Sequence, residues 1–278
     1  MKTYQTLKTQ YDLEVLSEDY IPSGLTNANY HVLTNKGEFV VRMPKPENAG
    51  LFDYHHEAHV LALIEPLNLD TPLYAYNPNT GIKISEYVPN IHTYKSDHLA
   101  DAAVLIKTLH DANLKSGIRF DLINKYDLFQ TRNTYQKYNT ITYRYLLEET
   151  QAMVSNVRLC HNDLVEGNLL FSKQRHYLID YEYAMDNDPY FDIMSFLTEN
   201  DIQDTQSRRI FYEAYFGYQP NDIMMSKLWH FEVSHHLIWC EWAQMMYAQH
   251  HDEVYNDIAA LKYTRLLECI TEHKKNSQ

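Results

Sequence analysis

Hydrophobic and polar positions along the chain change period near residue 89. Before that point, short alternating runs dominate. Residues 30–34 and 38–43 read as two β-strands joined by Asn35-Lys36-Gly37, where glycine can supply a positive φ. After Pro44 and Pro46, Glu57, Val60, Leu61 and Ile64 recur at helical spacing, so residues 52–67 predict a helix ended by Pro66, with a carboxylate on its apolar face. Residues 71–76 and 81–88 predict two further strands around the turn Asn77-Pro78-Asn79-Thr80-Gly81, and Pro89 closes the segment. Beyond it, Leu99, Ala102, Ala103, Ile106 and Leu109 form a helical stripe, and more helix is expected around 124–155. Short β-like runs at 157–160, 169–171 and 177–179 bracket a polar loop, after which helical periodicity returns from about 190. Repeats and low-complexity tracts are absent. The expected class is α+β, with a β-rich part at 1–88 and a mainly helical part at 89–278.

Composition narrows the function. Of the 278 residues, 45% are hydrophobic, enough for a sizeable core, and 24 basic against 37 acidic side chains leave a formal charge of −13, which argues against nucleic acid as partner. The 7 glycines nowhere form G-x-G-x-x-G or a G-x-x-x-x-G-K-[ST] loop, excluding both common glycine-rich nucleotide folds. Cys160, Cys240 and Cys269 are widely spaced and odd in number, as in a reducing compartment. The first residues lack an apolar leader core, and no apolar run reaches membrane-spanning length, so a soluble cytoplasmic protein without membrane insertion is expected. No signal for oligomeric state is present. With 24 Tyr, 10 Phe and 3 Trp in an acidic chain, the rings suit packing and a cationic ligand, although codon usage alone would also enrich tyrosine.

The chemistry concentrates in LCHNDLVEGNLLF (159–171) and YLIDYEYA (177–184). Together they place Asp163, Asn168 and Asp180 in one strand-loop-strand unit. Phosphoryl transfer requires a group to orient the attacking hydroxyl and oxygen ligands for Mg²⁺ on the nucleotide phosphates. Asp163 suits the first task, and the Asn168 amide oxygen and Asp180 carboxylate suit the second. A polar turn whose Asn and Asp cap their own backbone is the competing reading.

These segments resemble the catalytic loop and metal-binding Asp of the protein-kinase-like fold, in the form shared by choline/ethanolamine kinases and aminoglycoside phosphotransferases. His161 followed by Asn-Asp, and Asp180 followed by Tyr-Glu-Tyr, are similar to the choline kinase branch. The resemblance implies a bilobal protein with a small β-rich N-lobe (1–88) and a larger helical C-lobe (89–278), using ATP and Mg²⁺ bound between the lobes. It makes His161 a brace of the catalytic loop, together with Asp192, for which a simple helix N-cap is the alternative. Gly24, Leu25, Thr26, Asn27 and Asn29 resemble the family's phosphate loop, although one glycine alone would equally fit an ordinary hairpin entry. Arg42 stands where protein kinases carry the strand lysine, and Glu57 is its natural partner, since a buried carboxylate is costly unless paired. Exposure of both would be the plainer alternative. Glu86 and Val88 resemble the hinge that meets adenine.

Trp239 and Trp242 in SHHLIWCEW lie on one helix face and resemble the tryptophans that cage trimethylammonium in choline kinases. Core packing is the alternative. Glu182 lies either toward the cationic substrate or in a surface pair. The implied activity is phosphorylation of choline to phosphocholine. The alternatives are another small amine alcohol (ethanolamine, thiamine), an aminoglycoside, a non-catalytic nucleotide- or choline-binding pseudokinase, or a scaffold with an aromatic surface. The pairs His55-His56, His235-His236 and His250-His251 are expected to be surface or packing residues, and His273-Lys274-Lys275 a solvated end. Among the glycines, Gly24, Gly37 and Gly167 are singled out as placed for function.

Overall fold

The computed structural model describes residues 2–276. In chain order the helices are α1 (Lys2–Tyr11), α2 (Tyr54–Ile64), α3 (Leu99–Asp111), α4 (Leu122–Arg132), α5 (Tyr145–Met153), α6 (Pro189–Glu199), α7 (Thr205–Phe216), α8 (Asp222–His250) and α9 (Glu253–Asn276). The strands are β1 (Val15–Ile21), β2 (Asn27–Thr34), β3 (Gly37–Pro44), β4 (Leu73–Tyr76), β5 (Lys83–Glu86), β6 (His92–Thr93), β7 (Arg158–Cys160), β8 (Leu169–Phe171), β9 (His176–Leu178) and β10 (Met185–Asn187). Two compact units result, one from residues 1–116 and 165–184, the other from 117–164 and 185–278. The change of period near residue 89 therefore marks the end of the main sheet, while the first unit continues through α3 and takes in β8 and β9.

The first unit is built on an antiparallel sheet of order β1-β2-β3-β5-β4. The hairpin read from alternation is there, with Thr34 opposite Gly37 and the chain reversing at Asn35-Lys36. Val32, Phe39, Val41, Ile82 and Ile84 point to one face, where Leu7 of α1 and Leu13 join them in a buried core. Each such side chain contributes about 1.5–3 kcal/mol by leaving water. Asp53 caps α2 by accepting from the backbone N–H groups of His55 and His56. Beside the main sheet, β6, β8 and β9 form a small antiparallel sheet.

The second unit is a helical assembly around α8. From Leu228 to Met246 this helix is buried nearly all round, as expected of a helix packed on several sides. Asp121, Asp188, Asp204 and Asn221 cap α4, α6, α7 and α8. The helical periodicity read over 124–155 resolves into α4 and α5, interrupted at 133–144. A two-stranded pairing of β7 with β10 leads into the polar loop at residues 161–164. No helix among the described residues is long and apolar enough to cross a membrane.

Candidate active site

Within the first unit, a short hairpin brings the two predicted metal ligands together. Leu169 pairs with Leu178, and the Ile179 N–H donates to the Asn168 carbonyl at 2.9 Å, so Asn168 and Asp180 lie at the hairpin's open end. Asp180 adopts a left-handed conformation, φ 70°. That geometry is uncommon outside glycine and Asn/Asp, and it turns the chain sharply into Tyr181.

Arg42 on β3 reaches this corner. One terminal nitrogen pairs with Asp180, and the other donates to Glu57 at 2.7 Å and to the Gly81 carbonyl at 3.3 Å. Tyr76 adds its hydroxyl to Glu57 at 2.8 Å. Arg42 and Glu57 side chains are only 7% and 1% exposed, so the reading of an exposed pair does not hold. Nearby carboxylates, Glu57 foremost and then Asp180, hold the Arg42 guanidinium charged against the penalty of its burial.

Glu182 is also buried, which overturns the surface-pair reading. It accepts from the Thr26 hydroxyl at 2.7 Å and the Asn27 amide at 2.9 Å, tying the glycine loop to the segment after Asp180. Burial, followed by the Asp180 charge, pushes its carboxyl well above the usual range. The loop has further ties. Gly24 takes φ 82°, Asn29 donates to the Ser23 carbonyl at 3.2 Å, and the Leu25 and Thr26 carbonyls accept from Lys45 at 2.9 Å and Asn48 at 3.0 Å. Glu86 ends β5 opposite Phe39, and the Tyr87 N–H donates to the Glu38 carbonyl at 3.0 Å, leading on to Val88.

In the second unit, the loop at residues 161–164 is held by α6. Asp192 accepts from the His161 and Asn162 N–H groups, each at 2.7 Å. The helix cap is Asp188 instead, so Asp192 is a first-turn residue and not the N-cap of α6. Asn162 sits at φ 65°, donates its amide to the Cys160 and Met185 carbonyls at 3.3 Å each, and accepts from Asn187 at 2.9 Å. Leu164 on the far side is fixed by the Ser195 hydroxyl at 3.0 Å and by Asn200 at 3.0 Å. Half-buried Asp163 is thus flanked on both sides by anchored backbone.

Trp239 and Trp242 do share a face of α8. Their ring centroids are 5.6 Å apart and nearly perpendicular, at 80°, and Tyr255 of α9 packs edge-on to Trp242 at 5.6 Å. Both indoles are largely buried, 4% and 7% exposed. Tyr255 is the aromatic neighbour that sequence alone does not single out.

Several other roles escape the sequence. Asn162, Tyr76, Lys45 and Asn48 act through contacts between distant segments. Gly81 had a local signal as a turn glycine, but its close packing did not. The paired histidines divide as expected between surface and packing: His55 and His251 are exposed, while His56 meets the Ala184 carbonyl at 2.9 Å and His235 meets Thr198 at 2.7 Å. The C-terminal run is less solvated than expected, because the His273 ring stacks on Trp229 at 3.9 Å. Gly167 keeps an ordinary backbone with open space around it, so glycine is not required there.

The donor set in the first unit suits a divalent cation. Asn168 and Asp180 offer hard oxygen ligands, and two carboxylates, Glu57 and Asp180, share the guanidinium of Arg42. One Glu57 oxygen, Oε1, is buried without a hydrogen-bond partner.

Comparisons with known proteins bear on the family and the fold. Residues 19–223 match the phosphotransferase enzyme family. Protein LicA of Haemophilus influenzae is 24% identical over 277 residues, covering 89% of this chain and 99% of that protein. The crystal structure of choline kinase LicA from Streptococcus pneumoniae superposes with a TM-score of 0.84 at 24% identity, over 98% of both chains. A LicA structure in complex with AMP follows at 0.78, with 24% identity and 96% coverage of each chain. The fold is the protein-kinase-like α+β fold. The chain belongs to the phosphotransferase enzyme family.

Proposed function

We propose that this protein transfers the γ-phosphoryl group of Mg·ATP to the hydroxyl of choline, giving phosphocholine and ADP. The observation that carries the choline assignment is the perpendicular pair of Trp239 and Trp242 with Tyr255 at its edge. Indole faces attract a quaternary ammonium by roughly 0.5–2 kcal/mol per ring, and they ask no hydrogen bond of a nitrogen that has none to give. The relatives' names, LicA and choline kinase, support the same reading, and the AMP complex of one LicA supports an adenine nucleotide.

In this reading residues 1–88 carry the nucleotide-binding lobe and 89–278 the catalytic and substrate lobe. Thr26, Asn27 and the backbone from Gly24 to Asn29 would meet phosphate oxygens, Glu86 and Val88 would flank adenine, and Arg42, held by Glu57, would face the phosphates. Asn168 and Asp180 would hold Mg²⁺, whose chemistry is to neutralise phosphate charge. Asp163 accepts the choline hydroxyl proton as that oxygen forms its bond to the γ-phosphorus and the bond to the β-phosphate oxygen breaks. The anchoring of residues 161–164 keeps that carboxylate in place, and positioning is a large part of catalysis in such transfers.

The test is steady-state kinetics with choline, ethanolamine, thiamine and an aminoglycoside. Choline is expected to give the highest kcat/KM. Asp163→Ala should abolish turnover, and Trp239→Ala or Trp242→Ala should raise KM for choline more than for ethanolamine. Choline turnover at background would overturn the assignment. Unchanged choline KM in both tryptophan variants would overturn the cage.

A further inference from the structure

Glu241 stands on α8 two residues after Trp239 and one before Trp242, and it is buried, 2% exposed. Its carboxylate accepts at both oxygens. Oε1 takes the Asn133 amide at 2.7 Å, and Oε2 takes the Thr140 hydroxyl at 2.5 Å and the Gln244 amide at 3.3 Å. Because the Thr140 hydroxyl gives its proton to Glu241, the Tyr126 hydroxyl, 2.8 Å away, donates to Thr140 in turn. Every donor in this set is neutral.

That sets Glu241 apart from other buried carboxylates of the same unit. Asp188 meets Lys227 at 2.6 Å, Glu199 meets Lys262 at 2.8 Å, and Glu232 meets Arg208 at 2.5 Å. Among the described residues, Glu241 makes no ion pair. A buried carboxylate is costly without an opposite charge, and hydrogen bonds from neutral groups offset only part of that cost. If its one task were to hold the 133–144 connection against α8, an uncharged side chain would serve. Gln244, three residues on, does so: it accepts from the Tyr138 N–H at 2.7 Å and donates to the Tyr138 carbonyl at 3.3 Å.

The same turn of α4 meets both the charge and the aromatic pair. The Phe129 ring packs against Trp239 with centroids 6.4 Å apart, and Asn133, four residues later, donates to Glu241. Positions so spaced are about 5–6 Å apart at Cβ.

We infer that Glu241 is the fixed counter-charge for the cationic head of the substrate, a positioning residue that acts through its field on a cation held at Trp239 and Trp242. The inference rests on the choline reading above. It also goes further, because aromatic faces attract a cation only at close range, whereas a charge in a dry interior reaches beyond its contacts. An uncharged alcohol of the same shape keeps the packing against the rings and gains nothing from Glu241.

Steady-state kinetics with choline and with 3,3-dimethylbutan-1-ol, in which carbon replaces the quaternary nitrogen, tests the assignment. Wild-type protein is expected to show the lower KM for choline. Glu241→Gln is expected to raise the choline KM about tenfold with kcat little changed, and to leave the KM of the neutral alcohol within about twofold. Glu241→Asp should keep most of the preference for choline. Thr140→Ala removes a hydrogen bond to the carboxylate but not its charge, so it should keep the preference too, and it serves as the test if circular dichroism shows Glu241→Gln unfolded. Equal KM values for the two alcohols in the wild-type protein, an unchanged choline KM or an equal rise for both alcohols in Glu241→Gln, or loss of the preference in Thr140→Ala would overturn the inference while choline remained a substrate. Choline turnover at background in the wild-type protein would instead overturn the choline reading, and this inference with it.

Discussion

Arg42 donates to Glu57 at 2.7 Å in a setting where both side chains are almost wholly buried, and the same guanidinium also pairs with Asp180. One cation therefore balances two carboxylates in direct contact. Removing it leaves both uncompensated, whereas removing Glu57 leaves Arg42 still partnered. Arg42→Met is expected to lower unfolding stability by about 3–5 kcal/mol, and Glu57→Gln by a smaller amount, about 1–3 kcal/mol. Urea denaturation of the two variants checks the order, and equal losses would mean that the pair is a simple one-to-one bridge.

Asp192 holds two buried backbone N–H groups, those of His161 and Asn162, with its two carboxylate oxygens. Asp192→Ala orphans both, at roughly 1–3 kcal/mol each. Asp192→Asn retains one acceptor and should fall about midway. Hydrogen exchange at the amides of residues 161 and 162 should accelerate in the same order. Equal protection in all three proteins would mean that another group holds the loop.

The sequence patterns that survive in the structure are those written locally. The β2–β3 hairpin follows from alternation and a turn, α2 from spacing, and the β8–β9 hairpin that brings Asn168 and Asp180 together from one short stretch with its own strands. What is missing from a sequence reading is non-local. α1 and β1 have weak patterns of their own, and their places are fixed by Leu7 and Leu13 meeting strands from residues 32 to 84. Asn162 looks like any loop asparagine until Asn187 and Asp192 are folded against it. Glu182 shows the same effect, since its partners Thr26 and Asn27 are over 150 residues away. Gly167 fails in the opposite direction: adjacency to Asn168 in sequence placed no demand on its backbone.

Glu182 gives the fold a pH dependence of unusual sign for a carboxylate. Its folded-state pKa lies well above the ordinary 4.5, because burial and the Asp180 charge disfavour ionisation. The stability it contributes is therefore complete below 4.5 and is lost as pH rises through the folded value. Relative to Glu182→Gln, the wild-type protein should lose stability in denaturation curves as pH is raised above 4.5 and through the folded-state pKa. A stability difference that grows with pH would overturn the raised folded-state pKa of Glu182.

Gly81 and Gly167 make a matched pair for testing where glycine is needed. At Gly81, φ is 72°, and an added Cβ would lie 2.6 Å from a Tyr54 ring carbon and 2.8 Å from a Pro44 side-chain carbon. Neither neighbour can yield easily, since Tyr54 opens α2 and Pro44 ends β3. The Gly81 carbonyl also accepts from Arg42, so a shift there disturbs the buried ion pair. Gly81→Ala should destabilise by about 2–5 kcal/mol through left-handed strain and overpacking together. Gly167→Ala meets nothing within 4 Å and should change stability by no more than about 0.5 kcal/mol. Thermal melts of the two variants decide the matter: comparable melting temperatures would mean that the turn at residues 77–81 can relax without disturbing Arg42.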